Sequence, residues 1–314
     1  FACGPLPFPP PSWGDSEIWC PPRLAAGGKP QPAAPMPVVT PPVDVVTVPG
    51  QLVITEYFGN AATKDPRLSV AHVRWLAAGE EDWQTPEFDE WVLIISGEVR
   101  LEHAGGPTLV SGGSGVFLPA GLRVKWVFPG PCEYIPVCLP AFSPDNVHRE
   151  EPGCAPGAEA AAATAEGVPA VFSPVDVVKA GDLSITEFFG RVASKDERLS
   201  ACLAVVTGPC AEAYQAPAFD EYVLVLKGRL QLHQADGVTE VEPGRAVLLK
   251  AGERVKWVWP GDRGCTYIPI CLPAFSPDNC HREQEEGAAK DEACMARLHE
   301  LHGAAGAPEL VQAA

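Results

Sequence analysis

One long stretch of this chain is written twice. Ile54-Thr55-Glu56-Tyr57-Phe58-Gly59 returns as Ile185-Thr186-Glu187-Phe188-Phe189-Gly190, and Lys64-Asp65-Pro66-Arg67-Leu68-Ser69 as Lys195-Asp196-Glu197-Arg198-Leu199-Ser200. Phe88-Asp89-Glu90 returns as Phe219-Asp220-Glu221 and Arg123-Val124-Lys125-Trp126-Val127 as Arg254-Val255-Lys256-Trp257-Val258, all 131 residues apart. After a two-residue insertion in the turn following Gly261 the spacing becomes 133, and Cys138 to Asn146 returns as Cys271 to Asn279, His148-Arg149-Glu150 as His281-Arg282-Glu283. A unit this long buries its own core, so it is a domain and not a solenoid module. Two such domains account for most of 314 residues.

Each unit reads as strands. Leu52–Phe58, Leu68–Leu76, Trp91–Ser96, Val99–His103, Gly115–Leu118, Leu122–Phe128 and Tyr134–Leu139 are rich in aliphatic and aromatic residues, with Gly, Pro or charged turns between them. Many short, evenly spaced strands predict a sandwich or barrel. Ser143, Pro144 and Asp145 carry the signals of a helix start, so one short helix is expected to close each unit. The division expected is a Pro-rich arm (1–42), domain 1 (43–150), a linker rich in Ala, Gly and Pro (151–174), domain 2 (175–283) and a C-terminal segment (284–314). The arm holds 13 prolines in 42 residues and is expected to form neither helix nor sheet. Asp291 to His302 predicts a helix with Cys294, Leu298 and Leu301 on one face and Gly303 capping it.

Composition narrows the function classes. A net charge of −17 repels phosphate backbones, so nucleic acid is not an expected partner. No run of 18 apolar residues exists, so no membrane-spanning helix is expected. The 11 cysteines include no CxxC pair, and Cys138 and Cys271 sit in apolar runs as small buried hydrophobes, while Cys132 and Cys265 fall in turns. This usage suits a reducing compartment. Phe1 resembles the residue found at the cleavage point of proteins imported into complex plastids. A plastid location after removal of a targeting peptide is therefore one expectation, and a soluble intracellular one the other.

Glu90, six residues and Gly97, followed by Pro119-Ala120-Gly121, resemble the two motifs of the cupin family, and Glu221, six residues and Gly228 with Lys250-Ala251-Gly252 repeat them. The resemblance covers 43–150 and 175–283 and implies an all-β bicupin, two tandem double-stranded β-helix (jelly-roll) domains of a poorly characterised RmlC-like branch. Metal-binding cupins use three His and one Glu. The Glu survives as Glu90 and Glu221, but the His positions fall on Gln84, Pro86 and Val124, and on Gln215, Pro217 and Val255. Proline and valine have no donor atom, so no metal and no other cofactor is expected. Strand alternation places Phe88 and Val92 inward with Glu90, and Asp89 and Trp91 outward. The inward set of Gln84, Phe88, Glu90, Val124 and Trp126, with Gln215, Phe219, Glu221, Val255 and Trp257, describes a pocket for a small, mostly apolar ligand with one polar anchor. A filled core with Glu90 hydrogen-bonded internally is the alternative.

Other chemistry is sparse. No phosphate loop and no nucleophile elbow is present. His148 with Glu90, or His281 with Glu221, is the one acid/base pair on offer, and His148-Arg149-Glu150 otherwise reads as ion pairs pinning the last helix. Glu56, Glu187, Arg67 and Arg198 are expected to form structural ion pairs. Trp13, Ile18, Trp19 and Cys20 in the arm are candidate anchors for a protein partner, as is the C-terminal helix. The leading expectation is a non-catalytic binding or scaffold subunit of a larger assembly, with a plastid photosynthetic complex as its setting. The alternatives are a metal-independent isomerase- or hydrolase-like enzyme and a small-ligand sensor.

Overall fold

The computed structural model describes residues 37–150, 167–261, 264–283 and 289–303, and these are built almost wholly of strands. The first copy has a seven-stranded antiparallel sheet in the spatial order β12 (Ala170–Phe172), β9 (Ser114–Leu118), β6 (Asp89–Ser96), β11 (Cys132–Leu139), β4 (Ser69–Trp75), β3 (Leu52–Phe58) and β2 (Val43–Val48). It faces a four-stranded sheet of β5 (Gly79–Glu80), β10 (Val124–Phe128), β7 (Glu98–His103) and β8 (Thr108–Ser111). The second copy repeats both sheets. Its larger one runs β1 (Val38–Thr40), β20 (Ala246–Leu249), β17 (Asp220–Gly228), β22 (Cys265–Leu272), β15 (Ser200–Val206), β14 (Leu183–Phe189) and β13 (Val175–Ala180). Its smaller one runs β16 (Cys210–Ala211), β21 (Lys256–Trp259), β18 (Leu230–Gln234) and β19 (Gly237–Val241). A helix, α1 (Ala289–Gly303), follows. The architecture is two jelly-roll barrels.

Side-chain alternation builds two kinds of core from one strand. In β6, Val92 and Ile94 pack into the interior of the first barrel with Val73, Trp126 and Phe128. Trp91 and Leu93 point the other way, into a core that both barrels share, with Phe58 from the first and Tyr222, Leu224 and Ile268 from the second. Trp91 does face out of its barrel, but into this interface, where it is 1% exposed. Burial of each such large side chain contributes about 1.5–3 kcal/mol.

The contact between barrels is reciprocal. Arg67 donates to Asp220 of the second copy at 3.2 Å, and its twin Arg198 pairs with Asp89 of the first. Trp91 Nε1 donates to Asp196 at 3.1 Å, while Arg67 donates to the hydroxyl of Tyr222, the twin of Trp91, at 3.3 Å. Such i-to-j and j-to-i pairing is the geometry of a two-fold dimer, here within one chain. The arginines are half exposed, so these pairs fix orientation more than they add stability. The leading strands are also exchanged: β1, which precedes the first barrel, pairs with β20 of the second, and β12, which precedes the second, pairs with β9 of the first.

Several expectations are corrected. The Pro-rich arm is not without sheet: Val38-Val39-Thr40 is β-branched and forms β1 between its prolines. The linker range likewise contains β12. No helix follows Ser143. Pro144 to Asn146 form a turn that the Ser143 and Asn146 side chains close on each other's backbone N–H, at 3.2 and 2.8 Å. Those two bonds satisfy the groups a helical turn would otherwise have to cap. Cys132 and Cys265 begin strands and are buried. Glu56 and Glu187 form no ion pair. Each accepts two backbone N–H bonds, from Ala61 and Ala62 at 2.7 and 2.8 Å and from Val192 and Ala193 at 2.8 Å. This seat requires Gly59 and Gly190, since a Cβ at either would lie 2.8 to 2.9 Å from the carboxyl carbon. Helix α1 begins at Ala289, earlier than Asp291. Trp13, Ile18, Trp19 and Cys20 lie outside the described residues.

Because the shared core belongs to both barrels, Trp91→Ala is expected to destabilise the whole molecule by about 3–5 kcal/mol. Chemical denaturation followed by circular dichroism checks this. A single transition shifted as a unit is expected, and a separate early transition for one barrel would contradict the shared core.

Candidate functional site

The concave face of each larger sheet lines a cavity. In the first barrel β3, β4, β6 and β11 supply Ile54, Val73, Trp75, Glu90, Tyr134 and Cys138, Phe88 comes from the residue just before β6, and Trp126 enters from β10. The chain at Gln84 crosses between two strands, pairing its backbone with Val124 on one side and Arg149 on the other, so that the Gln84 side chain joins the wall. The cavity measures about 930 Å³. The second barrel keeps the twin residues Gln215, Phe219, Glu221, Trp257, Tyr267 and Cys271 around a cavity of about 220 Å³.

Helix α1 accompanies the difference. Its Cys294 and Leu298 line the second cavity, and Leu298 packs on Val177 and Val178 of β13, which are each 4% exposed. Arg297 ties the helix to the backbone oxygen of Asp176 at 2.8 Å. Strand β2 carries the same Val-Asp-Val-Val sequence beside the first cavity, but there Val45, the register twin of Val177, is 42% exposed. Among the described residues no helix covers it.

Of the residues expected to line a pocket, Gln84, Phe88, Glu90 and Trp126 line the first cavity and Gln215, Phe219, Glu221 and Trp257 the second. Val124 and Val255 do not. Each is held by backbone pairing to Gln84 or Gln215, and its side chain packs into the barrel core. His148 and Glu90 both border the first cavity, but the imidazole Nε2 pairs with Glu87 at 2.7 Å in an exposed contact. His281 is exposed and is not on the second cavity, so that cavity does not join Glu221 to it. His148-Arg149-Glu150 does form pins, on extended chain and not on a helix: Arg149 to Glu81 at 2.9 Å and Glu150 to Arg123 at 2.6 Å, the guanidinium of Arg123 lying 3.9 Å over the Trp83 ring. His148 itself takes a left-handed φ of 47° that turns the chain into this segment.

The buried acid is the unusual group. The Glu90 carboxyl is enclosed, although part of its side chain faces the cavity, and it has no basic partner at hydrogen-bond distance. Its contact is the Cys138 thiol, 4.0 Å away. Burial pushes its pKa up to about 8, Glu81 adds to the rise and Arg149 opposes it. Glu221 is likewise pushed up to about 8, by burial and then Glu212, against Arg282. At neutral pH both are mainly carboxylic acids that can donate and accept. Gln84 Oε1, Trp126 Nε1 and Glu221 Oε2 are buried without a hydrogen-bond partner. A dry wall would leave such atoms costly, so they mark where a guest's polar atoms would sit. Sequence reasoning missed Trp75, Tyr134 and the Glu81–Arg149 pair. The period-two runs of β4 and β11, with Ala71, Val73, Trp75 and Tyr134, Pro136, Cys138 on one face, held that signal.

Beside Glu90 the wall of the first cavity carries Gln84, while Val124, which has no donor atom, packs into the barrel core. Among the described residues no group of three or more His, Cys, Asp or Glu comes close enough to hold an ion.

With this geometry in place, known proteins give the fold its family context. A profile for the EutQ-like cupin domain matches residues 72–133. Solved structures similar in fold include oxalate decarboxylase from Bacillus subtilis (TM-score 0.56, 12% identity, 83% of each chain) and the formate complex of Lactobacillus farciminis oxalate decarboxylase (0.57, 12%, 74% of this chain and 84% of that one). AerE from Microcystis aeruginosa is also similar (0.53, 12%, 74% of this chain and 98% of that one). The chain has a bicupin fold. In sequence, endoribonuclease YbeY of Myxococcus xanthus is 37% identical over 101 residues, 32% of this bicupin. The chain spans about a third of that relative's length (34%).

Glu90 sets a pH signature. Its pKa is raised in the folded state, so its contribution to stability is full below the unfolded value of 4.5 and is lost as pH rises toward about 8. The stability of Glu90→Gln relative to the parent is therefore expected to rise by on the order of 3 kcal/mol between pH 5 and pH 8. Denaturant melts at the two pH values measure it. A difference independent of pH would mean that Glu90 is ionised in the folded protein.

Proposed function

We propose that this bicupin binds a small organic molecule in its first barrel, without a metal and without catalysing a reaction, while its second barrel serves as structural partner. The observation that carries the reading is the divergence of two otherwise matched cavities. About 930 Å³ remains in the first, with partnerless polar atoms in an aromatic wall, and about 220 Å³ in the second beneath α1. Ligand pockets typically enclose about 300–1,000 Å³ and combine apolar walls with a few fixed polar groups. The first cavity meets both conditions and the second does not. The missing histidine positions support the metal-free part. The oxalate decarboxylase likeness stands at 12% identity and supports the fold, so decarboxylation is not carried over. Nor is endoribonuclease activity, since that match spans a third of either protein.

A role as a subunit of a larger protein assembly is a second reading. It is favoured by the exposed Val43, Val45 and Val48 of β2, of which Val45 borders the first cavity. Sedimentation of native extract tests it: migration with a large complex supports it, and migration near 33 kDa removes it.

For the principal reading the probe is 2-phenylethanol, followed by fluorescence of the cavity tryptophans Trp75 and Trp126. One saturable site per chain is expected. Ala71→Trp, which fills the first cavity from β4, should weaken binding by more than about tenfold, and Cys202→Trp, its twin in the second barrel, should leave it unchanged. Equal effects of the two substitutions would sink the assignment to the first barrel. Metal analysis of the purified protein should give less than about 0.1 equivalent of any transition metal, and Mn(II) should leave its melting temperature unchanged. A stoichiometric metal would overturn the metal-free reading.

A further inference from the structure

The first cavity differs from the second in more than size. Glu80 and Asp82 line the first cavity, and Glu87 reaches its rim through its pair with His148. Their twins are Ala211, Ala213 and Ala218, so three carboxylates on the open barrel are three methyl groups on the closed one. Trp75 of the first wall is Val206 in the second. Both differences run the same way, adding negative charge and an aromatic face to the barrel that retains room.

The cations near this mouth are already engaged. Lys125 pairs with Glu80 at 2.9 Å, Arg149 with Glu81 at 2.9 Å and His148 with Glu87 at 2.7 Å. That leaves Glu90 and Glu56 in the wall, the latter held by two backbone N–H groups, and Asp82 and Asp145 at the rim, as acids with no ion pair among the described residues. An anionic guest would face this surplus and would have to take Arg149 from Glu81, a carboxylate whose side chain is 12% exposed. A cationic guest meets the opposite situation. Gln84 Oε1, in a residue 5% exposed, is an acceptor without a donor, and the Glu90 carboxyl, whose Oε1 has the Cys138 thiol at 4.0 Å, is a second acceptor without a cationic partner at hydrogen-bond distance. Trp75, Trp126 and Phe88 line the same space with aromatic rings, and ring faces attract ammonium groups. Trp126 Nε1 and Trp75 Nε1 are unpartnered donors in the same wall; Trp257 repeats Trp126 in the second barrel, and Trp75, which has no such twin, lies beside the Tyr134 hydroxyl.

We propose that the molecule taken by the first barrel is an amphipathic organic cation, a primary ammonium group on an apolar or aromatic body, with the ammonium between Glu90 and Gln84 Oε1 and the body against Trp75 and Trp126. This names the ligand class for the binding function proposed above and rests on that reading. A proton balance follows. Glu90 faces Glu81, Arg149, Cys138, Tyr134 and Glu56, and burial keeps it mainly protonated at neutral pH. An ammonium seated against it supplies the missing counter-charge, so the carboxyl proton leaves to solvent as the pair forms.

The experiment is isothermal titration calorimetry of the full chain at about pH 7 with three compounds of one shape: 2-phenylethylammonium, 2-phenylethanol and phenylacetate. The ammonium is expected to bind about tenfold or more tightly than the alcohol, and phenylacetate most weakly. Titration in two buffers of different ionisation enthalpy should register about one proton released per ammonium bound. Glu90→Gln, shown to be folded by its melting curve, should lower the ammonium's affinity by about tenfold or more, toward the alcohol's, and abolish the proton release. If the alcohol binds as tightly as the ammonium, or phenylacetate binds best, and Ala71→Trp blocks that binding, the cavity reading stands and the cation inference is overturned. If none of the three binds, both fall together.

Discussion

Everything else in the molecule hangs on the face-to-face packing of the two seven-stranded sheets around Trp91 and Tyr222. A jelly-roll barrel has two faces on its larger sheet, and here both are covered: the concave one by its own four-stranded sheet, the convex one by the other copy. That is why Trp91 to Ile94 are buried without a break, although the strand alternates strictly between two cores. Neither barrel could leave Trp91, Leu93, Phe58 and Ile135 facing water, so the copies are bound to fold as one body. The exchanged strands β1 and β12 close the edges at β20 and β9, which would otherwise present open hydrogen-bonding edges.

A two-fold contact inside one chain frees its halves to diverge. In a true dimer each substitution appears twice, so a cavity cannot be filled on one side and kept on the other. Duplication removes that tie. The interface has stayed matched, Arg67 to Asp220 and Arg198 to Asp89, and the cavities have not. Among the described residues a helix lies across β13 of the second barrel and none across β2 of the first, whose cavity is larger and whose mouth carries more acids. A matched interface with unlike interiors is what the proposed division between a binding barrel and a structural one requires.

Much of this was legible in the residues, and the failures have a common cause. The repeat, the strands and the inward set of Phe88, Glu90 and Trp126 follow from spacing and alternation, which are local properties. The face of α1 formed by Cys294, Leu298 and Leu301 was equally local and does pack where an apolar face must. What could not be read was anything set by a partner far along the chain. Val38-Val39-Thr40 is three residues between prolines, and its strand exists because β20 waits some two hundred positions later. The Val-Asp-Val-Val runs of β2 and β13 are identical in sequence and opposite in exposure, because one lies under α1. The turn at Ser143 misled for the reverse reason. Its capping residues satisfied each other locally, so no helix was needed to use them.

The placement of Glu90 is the point at which stability and function separate. Twin carboxyls in both barrels stand without a basic partner, and each is held in its neutral form by burial. A filled apolar core would avoid that cost entirely, as the surrounding strands show they can build one. In the second barrel the acid is enclosed beneath a helix that limits the space beside it. In the first it borders a cavity large enough for a guest, whose wall also holds the Gln84 amide oxygen, which lacks a donor. Two acceptors in the wall of one cavity, at a standing cost to the folded state, are explained in the proposed reading by what completes them: a donor that arrives from solution, carrying the charge that Glu90 alone cannot bear.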